Sequence, residues 1–332
     1  MNKKKRPTLQ DIADRVGVTK MTISRFLKDP SQVSAVMQEK IAVVVEELGY
    51  IPNRAPDLLS RAKSNAIGVL VPSLTNQVFS EVIRGIESVT EAAGYQTMLA
   101  HYGYSNKVEE QRISYLLSYS IDGLILSESQ HTERTLKMIH TAGIPVIEMM
   151  DITSPAIEQA VGFDNVDAAY RMVSTMIKKG YRHIVYFGAR MDVRTKLKQK
   201  GYAKAMQEHG LVANTVFTEA ASSFTLGAAL LQETLAKHPK TDGIFCTNDD
   251  LAIGAIFECQ RLGISIPKQI GIAGFHGLDA GQIMQPNLAS VITPREKIGR
   301  VSAEQLLSRI KGEPIEDKII DLGFNIHQGE SI

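Results

Sequence analysis

Between Thr8 and Leu27 the apolar positions recur at helical spacing: Leu9, Ile12, Ala13 and Val16 form one set, Ile23, Phe26 and Leu27 a second, with Gly17 between them. This pattern predicts two short amphipathic helices joined by a tight turn for which glycine supplies the permissive backbone. Thr8 with Asp11 three residues on is a capping-box-like start for the first helix, and Thr19 is placed to cap the second. Asp29 and Pro30 break the pattern, after which Ser34 is placed to cap a third helix, AVMQEKIAVVVEEL, ended by Gly49. The three together predict a small all-α bundle over residues 1–52. In the following YIPNRAPDLLSRAKS stretch, Pro52 stops regular structure, and Asn53 can cap one more short helix with Pro56 in its first turn. Leu58 and Leu59 have no opposite face to pack on. Residues 53–64 are therefore either a linker with two incidental leucines or a hinge helix that orders on DNA and places an apolar wedge in the minor groove.

From Asn65 the texture changes to short apolar runs alternating with helical patterns. Strand-like runs fall at 66–71, 96–101, 123–127 and 145–150, separated by helical stretches around 79–93, 108–119 and 132–142, and a second series follows at 183–188, 216–218, 243–248 and 270–275. Apolar strands alternating with helices predict parallel sheets covered on both faces. Two such series predict an α/β core over 65–332 made of two doubly wound subdomains, with a ligand cleft where the carboxyl ends of their strands face each other. The first subdomain is expected over about 65–162 and 293–320, the second over about 163–292 and 321–332.

On the second helix, Lys20, Met21, Thr22, Ser24 and Arg25 lie near its start, several of them free to meet something outside. This is the helix-turn-helix layout, in which such residues face the DNA major groove. Any amphipathic helix pair with a glycine turn can give the same pattern, so the charge distribution matters. Residues 1–63 carry 12 Lys+Arg against 7 Asp+Glu, and the remainder 25 against 29, so the overall +1 hides a basic head on a mildly acidic body. That asymmetry is expected when one module faces phosphate.

The rest of the composition narrows the class by exclusion. At 332 residues with 44% hydrophobic content the chain can bury more than one core. No apolar run approaches the roughly 18 to 20 residues that span a bilayer. The opening KKKR leads into polar sequence rather than an apolar stretch, so no secretory signal is expected. Cys246 and Cys259, with no metal-ligand or CxxC spacing, fit a reducing cytoplasm. We find no GxGxxG after a strand, no GxxxxGK phosphate loop, no HExxH and no GxSxG, and His101, His131 and His276 are dispersed. The expectation is a protein without catalytic residues, metal or cofactor. A secreted sugar-binding protein would share the core but lack the basic head.

Specific motifs carry a resemblance along essentially the whole chain. VTKMTISR in the second helix, LGYIPNRA leading into the hinge, IGVLVPSLTNQVF opening the core, GYRHIVYFG, FCTNDDLAIGA and the ASVITP return resemble the lactose and galactose repressor family of bacterial transcription factors. Within it the chain looks closest to the gluconate-utilisation repressors, on IPNRAP, PSLTNQVF, YQTMLAHY and GFHGL. The resemblance implies a periplasmic sugar-binding-like core that holds an effector. It places Lys20 and Met21 where such repressors read variable operator bases and Arg25 where they hold a guanine, the commonest specific arginine contact. Leu59 stands at the intercalating hinge position, while Asn53 and Arg54 cap and hold phosphate. Thr8 and Thr22 complete the expected DNA-contacting set. Met21 departs from the polar residues often found there and offers only an apolar contact, such as to a thymine methyl.

For the effector, the resemblance implies contacts from Ser73, Asn76 and Phe79 on one wall and from Asn248 and Asp249 across the cleft. On residue chemistry alone an Asn-Asp pair after a strand serves equally as a helix cap. Two departures from sugar-binding relatives stand out: Lys198 where an arginine is common, and His276 where an acid is common. Together with Arg194 or Lys196 they favour a ligand with one carboxylate and several hydroxyls, such as gluconate. Glu148 and Asp151 argue the other way, since either could project into the cleft and repel an anion. The expected partners are a double-stranded, nearly palindromic operator, a small sugar acid and a second copy of the chain. A homodimer is expected over a tetramer because the sequence ends at Ile332, soon after the strand-like IIDLGFNI, without the leucine-repeat helix of the family's tetramers.

Overall fold

A computed structural model describes residues 6–53 and 63–332, which fall into two units divided between Ser64 and Asn65. The expected hinge helix, with Arg54 and Leu59, lies outside the described residues.

The first unit contains α1 (Leu9–Val16), α2 (Lys20–Lys28) and α3 (Ala35–Leu48). Thr8 and Asp11 form the full capping box: the Thr8 hydroxyl accepts from the Asp11 amide, and the Asp11 carboxylate accepts from the Thr8 amide at 2.7 Å. Gly17 ends α1 at φ 79°, a conformation that a side chain would strain. Thr19 caps α2 through the Thr22 amide. Ser34 occupies the N-cap position of α3 but makes no side-chain cap bond. The approach to α3 is instead held by Asp29, which caps a 3-10 turn at Pro30–Gln32, and by Gln38, whose amide donates to the Val33 carbonyl at 3.0 Å. Ile12, Ala13, Ile23 and Ile41 are fully buried, with Leu9, Val16, Phe26 and Leu27 among the apolar residues packed around them.

The second unit holds two six-stranded sheets. The first runs β11-β5-β4-β3-β1-β2, from β1 (Ala66–Val71), β2 (Gln96–His101), β3 (Gly123–Leu126), β4 (Val146–Met149), β5 (Gln159–Gly162) and β11 (Ile319–Asp321). The second runs β12-β10-β9-β8-β6-β7, from β6 (Ile184–Ala189), β7 (Asn214–Thr218), β8 (Gly243–Cys246), β9 (Gly271–His276), β10 (Ala289–Ile292) and β12 (Asn325–His327). Every pairing is parallel except β10 with β12. The central strands are buried along their length because helices cover both faces, which is why they read as unbroken apolar runs. The chain passes between the sheets three times, after β5, after β10 and after β11.

The covering helices are α4 (Val78–Thr90), α5 (Asn106–Ser118), α6 (Glu133–Ala142), α7 (Asn165–Lys178), α8 (Val193–Glu208), α9 (Phe224–Lys237), α10 (Asp249–Leu262), the short α11 (Asp279–Ile283) and α12 (Arg295–Ile310). Glycine lets two of them cross closely. A Cβ on Gly85 of α4 would collide with the Glu296 carbonyl, and one on Gly299 of α12 with that of Val82. At these two glycines the α4–α12 pair packs backbone against backbone.

Candidate DNA-reading face and effector cleft

On the first unit, α2 buries Ile23 and half-buries Phe26 and Leu27, which fixes which side faces outward. Lys20, Met21, Ser24 and Arg25 are exposed, Met21 to 62%. Thr22 is half-buried, its hydroxyl 3.1 Å from that of Thr19, so it belongs in part to the helix cap. The Thr8 hydroxyl likewise serves the α1 capping box, donating to Asp11 at 2.7 Å. Asn53 is exposed beyond α3. An exposed guanidinium and ammonium on the first turns of a helix whose other face is anchored by packing is the geometry that presents donors to base edges and phosphate.

In the second unit, a narrow cleft lies at the carboxyl ends of the two sheets. Of the expected effector residues, Asn76, Phe79, Lys198, Asn248 and His276 line it. Arg194, at the start of α8, lines it as well, whereas Lys196 on the same helix faces solvent. Asn248 sits at the N-cap of α10 without making a cap bond, so its side chain is not occupied as a cap.

Three expected residues lie elsewhere. Ser73 sits just outside, its hydroxyl accepting from the Thr75 and Asn76 amides at 3.2 Å each and so shaping the turn that carries Asn76. Glu148 points into the first subdomain, where it accepts from the Ile157 amide and meets His131 at 3.3 Å; His131 also meets Glu109 at 3.1 Å. Burial opposes the His131 charge, but these two carboxylates outweigh it and push the imidazole up to about 9. Asp249 turns under the loop after β9, accepting from Ser290 at 2.7 Å and the Leu278 amide at 2.6 Å, and burial pushes its carboxyl up to about 7. Asp151 is similarly engaged, by Thr153, Ser154 and Asn165. The two acids that stood against an anionic ligand are thus both turned away from the cleft.

Lys198 is the chemical centre of the site. Its Nζ donates to the Thr247 carbonyl at 3.0 Å, lies 3.1 Å from His276 Nε2 and stands 4.0 Å above the Phe275 ring. Burial lowers the lysine to about 7. His276 is driven well below its ordinary value by burial first and by Lys198, Arg295 and Arg194 next. Its neutral ring accepts from the ammonium at Nε2, while Nδ1 faces Thr293 Oγ1 at 3.2 Å. His276 therefore adds no positive charge of its own, contrary to the expectation from sequence; it orients Lys198. Burial also works against Arg194, but Asp192 and Glu128 outweigh it and hold the guanidinium ionised.

Sequence inspection missed Tyr104, Arg190, Asp192 and Thr195, which also line the cleft. Arg190 Nη1 donates to the Tyr104 hydroxyl at 3.0 Å, with the guanidinium 4.4 Å from the ring centre. Asp192 caps α8 through the Thr195 amide at 2.8 Å. The signal available was position: charged residues directly after a parallel strand, here β6, face the cleft of a doubly wound sheet.

An outward-facing helix-turn-helix on one unit and a polar cleft between two doubly wound sheets on the other define a transcription regulator that binds DNA and answers to a small molecule. Comparison with known proteins gives the family. Residues 8–53 match the model of bacterial regulatory proteins of the lacI family, and residues 64–328 that of periplasmic binding proteins and the sugar binding domain of the LacI family. The chain is 61% identical to the HTH-type transcriptional regulator GntR of Escherichia coli, over 99% of this chain and all of that one, and 47% identical to the HTH-type transcriptional regulator IdnR of the same species, over 98% and 99%. A solved LacI-family transcriptional regulator from Silicibacter pomeroyi superposes with a TM-score of 0.91 at 32% identity, covering 98% of this chain and 99% of that one. The chain belongs to the lacI family of bacterial regulatory proteins, and is a DNA-binding transcriptional repressor of that type rather than an enzyme.

Proposed function

We propose that the protein represses transcription as a homodimer on a nearly palindromic operator, and that an open-chain sugar acid such as gluconate binds the cleft and lowers operator affinity. The observation that carries the effector assignment is the cleft's charge. Arg190, Arg194 and Lys198 converge there against one lining acid, Asp192, which also caps α8, and Glu148 and Asp151 point away. A carboxylate would favour the charged form of Lys198 beside Arg190 and Arg194, and hydroxyls would meet Asn76 and Asn248, whereas a neutral pyranose would add no counter-charge to the ammonium. Resemblance to the gluconate-utilisation branch supports the same choice. Lysine gives a point charge where arginine would give a fork, so modest affinity and tolerance among related acids are expected.

Two-fold pairing of copies would set two recognition helices about 34 to 36 Å apart or a multiple of it, which is what reading enough base pairs requires. Residues 53–64 act as the hinge, with Arg54 on phosphate and Leu59 as the minor-groove wedge. Ligand shifts the two subdomains, the paired hinges separate and the wedge is lost. Titration calorimetry on the full chain with gluconate, glucose and a purine base tests the effector. Heat with gluconate alone is expected; heat with glucose or the purine but none with gluconate would overturn the assignment.

A further inference from the structure

The cleft is partly enclosed. Outside it lies a broader depression of about 650 Å3, lined in part by Ser73, Thr75, His101 and Glu219. Among the described residues, Tyr104 and Arg190 line both spaces. Tyr104 follows β2 in the first subdomain and Arg190 follows β6 in the second, so their contact bridges the two. The bridge has two components, the 3.0 Å hydrogen bond and the guanidinium over the ring, while within the first subdomain the Asn76 amide lies 3.5 Å from the same hydroxyl. Both residues, neither of them glycine, have φ of 61°, and Met191 next to Arg190 has φ of 41°. Left-handed backbone at a non-glycine residue is costly and persists where surrounding structure enforces it, which places stored strain on both sides of the contact.

We infer that Tyr104 and Arg190 form a gate between the outer depression and the inner cleft, and that they decide which small molecules reach Lys198. When closed, the pair bounds the outer end of a narrow cleft. A ligand carrying a further substituent, such as a second sugar ring, would have to displace Arg190 outward and give up the contact with Tyr104. Opening requires breaking one hydrogen bond and one cation–ring contact, a modest barrier that relief of the left-handed backbone would lower. The gate deepens the effector assignment above but its test does not depend on it.

Cyanate supplies that test, because it is small, anionic and carbamylates neutral amines, and Lys198 is partly neutral near pH 7. In the full chain, carbamylation of Lys198 followed by peptide mass spectrometry is expected to lag far behind that of exposed Lys196 and Lys200. In Tyr104→Ala and in Arg190→Ala it is expected to accelerate about tenfold while Lys196 and Lys200 keep their rates, as opening ceases to limit access. Tyr104→Phe, which keeps the ring and loses the hydroxyl, should fall between and serves if the alanine variants fail to fold. Lys198 reacting as fast as its exposed neighbours in the unmodified protein, or equal Lys198 rates in all four proteins, would overturn the gate. A parallel arm with gluconate on the unmodified protein and on Tyr104→Phe, where Arg190 is intact, separates the two claims: acceleration in the variants without gluconate protection of Lys198 in these two proteins leaves the gate standing and removes the sugar acid.

Discussion

Lys198 concentrates the chemistry of the cleft in one ammonium that is costly to keep charged. Burial lowers it to about 7, so near neutral pH a substantial share of the free protein carries an uncharged lysine. A bound carboxylate favours the charged form, and binding must then draw a proton from solution. Affinity for gluconate is expected to be greatest below pH 7 and to fall as pH rises through 7 and above, with proton uptake visible as a buffer-dependent heat. A neutral sugar would show no such slope. Arg25 is the matching residue on the DNA side: exposed, near the start of α2, on a face fixed by Ile23. Arg25→Ala is expected to lose roughly 1 to 3 kcal/mol at one operator base pair and to relax specificity there. Equal loss on operator and random duplex would reduce it to a phosphate contact.

At the scale of elements, the head is the vulnerable part, because four fully buried side chains anchor three helices. Ile23→Ala removes one of them and is expected to destabilise that unit by about 2 to 5 kcal/mol. Calorimetry should show the variant losing operator binding and an early melting event while gluconate binding by the second unit persists. Which elements could be read from sequence follows from the same physics. β1 was legible as the run 66–71, since a strand buried along its length leaves an unbroken apolar stretch, and β2 as 96–101 although this edge strand is partly exposed throughout. The capping box at Thr8 and Asp11 was legible because both partners lie within one turn. What failed was anything set by distant packing. Glu148 looked like a cleft residue from its place in β4, yet its partner His131, itself held by Glu109, arrives from elsewhere in the chain. Arg190 and Tyr104, 86 residues apart, had no local signature of their contact. Asn248 and Asp249 shared one ambiguous reading, and the fold splits them, the first to the cleft and the second beneath a loop. His276 was named for its charge and turns out to matter for its lone pair.

For the whole molecule, repression and its relief need two ligands whose affinities are coupled. The helix-turn-helix contributes exposed donors and the core contributes a cleft whose cations have few acids to answer them. Neither part alone makes a switch. Coupling requires gluconate to bind the DNA-incompetent arrangement more tightly, typically by about 1 to 3 kcal/mol, which corresponds to a roughly 5- to 150-fold change in operator affinity. The most direct measurement is the affinity of the full chain for a duplex selected against it from random sequence, titrated at fixed salt with and without saturating gluconate, with glucose as the control. Gluconate is expected to weaken binding within that range and glucose to leave it unchanged. Operator affinity that stays the same or rises while calorimetry shows gluconate bound would contradict the proposed switch.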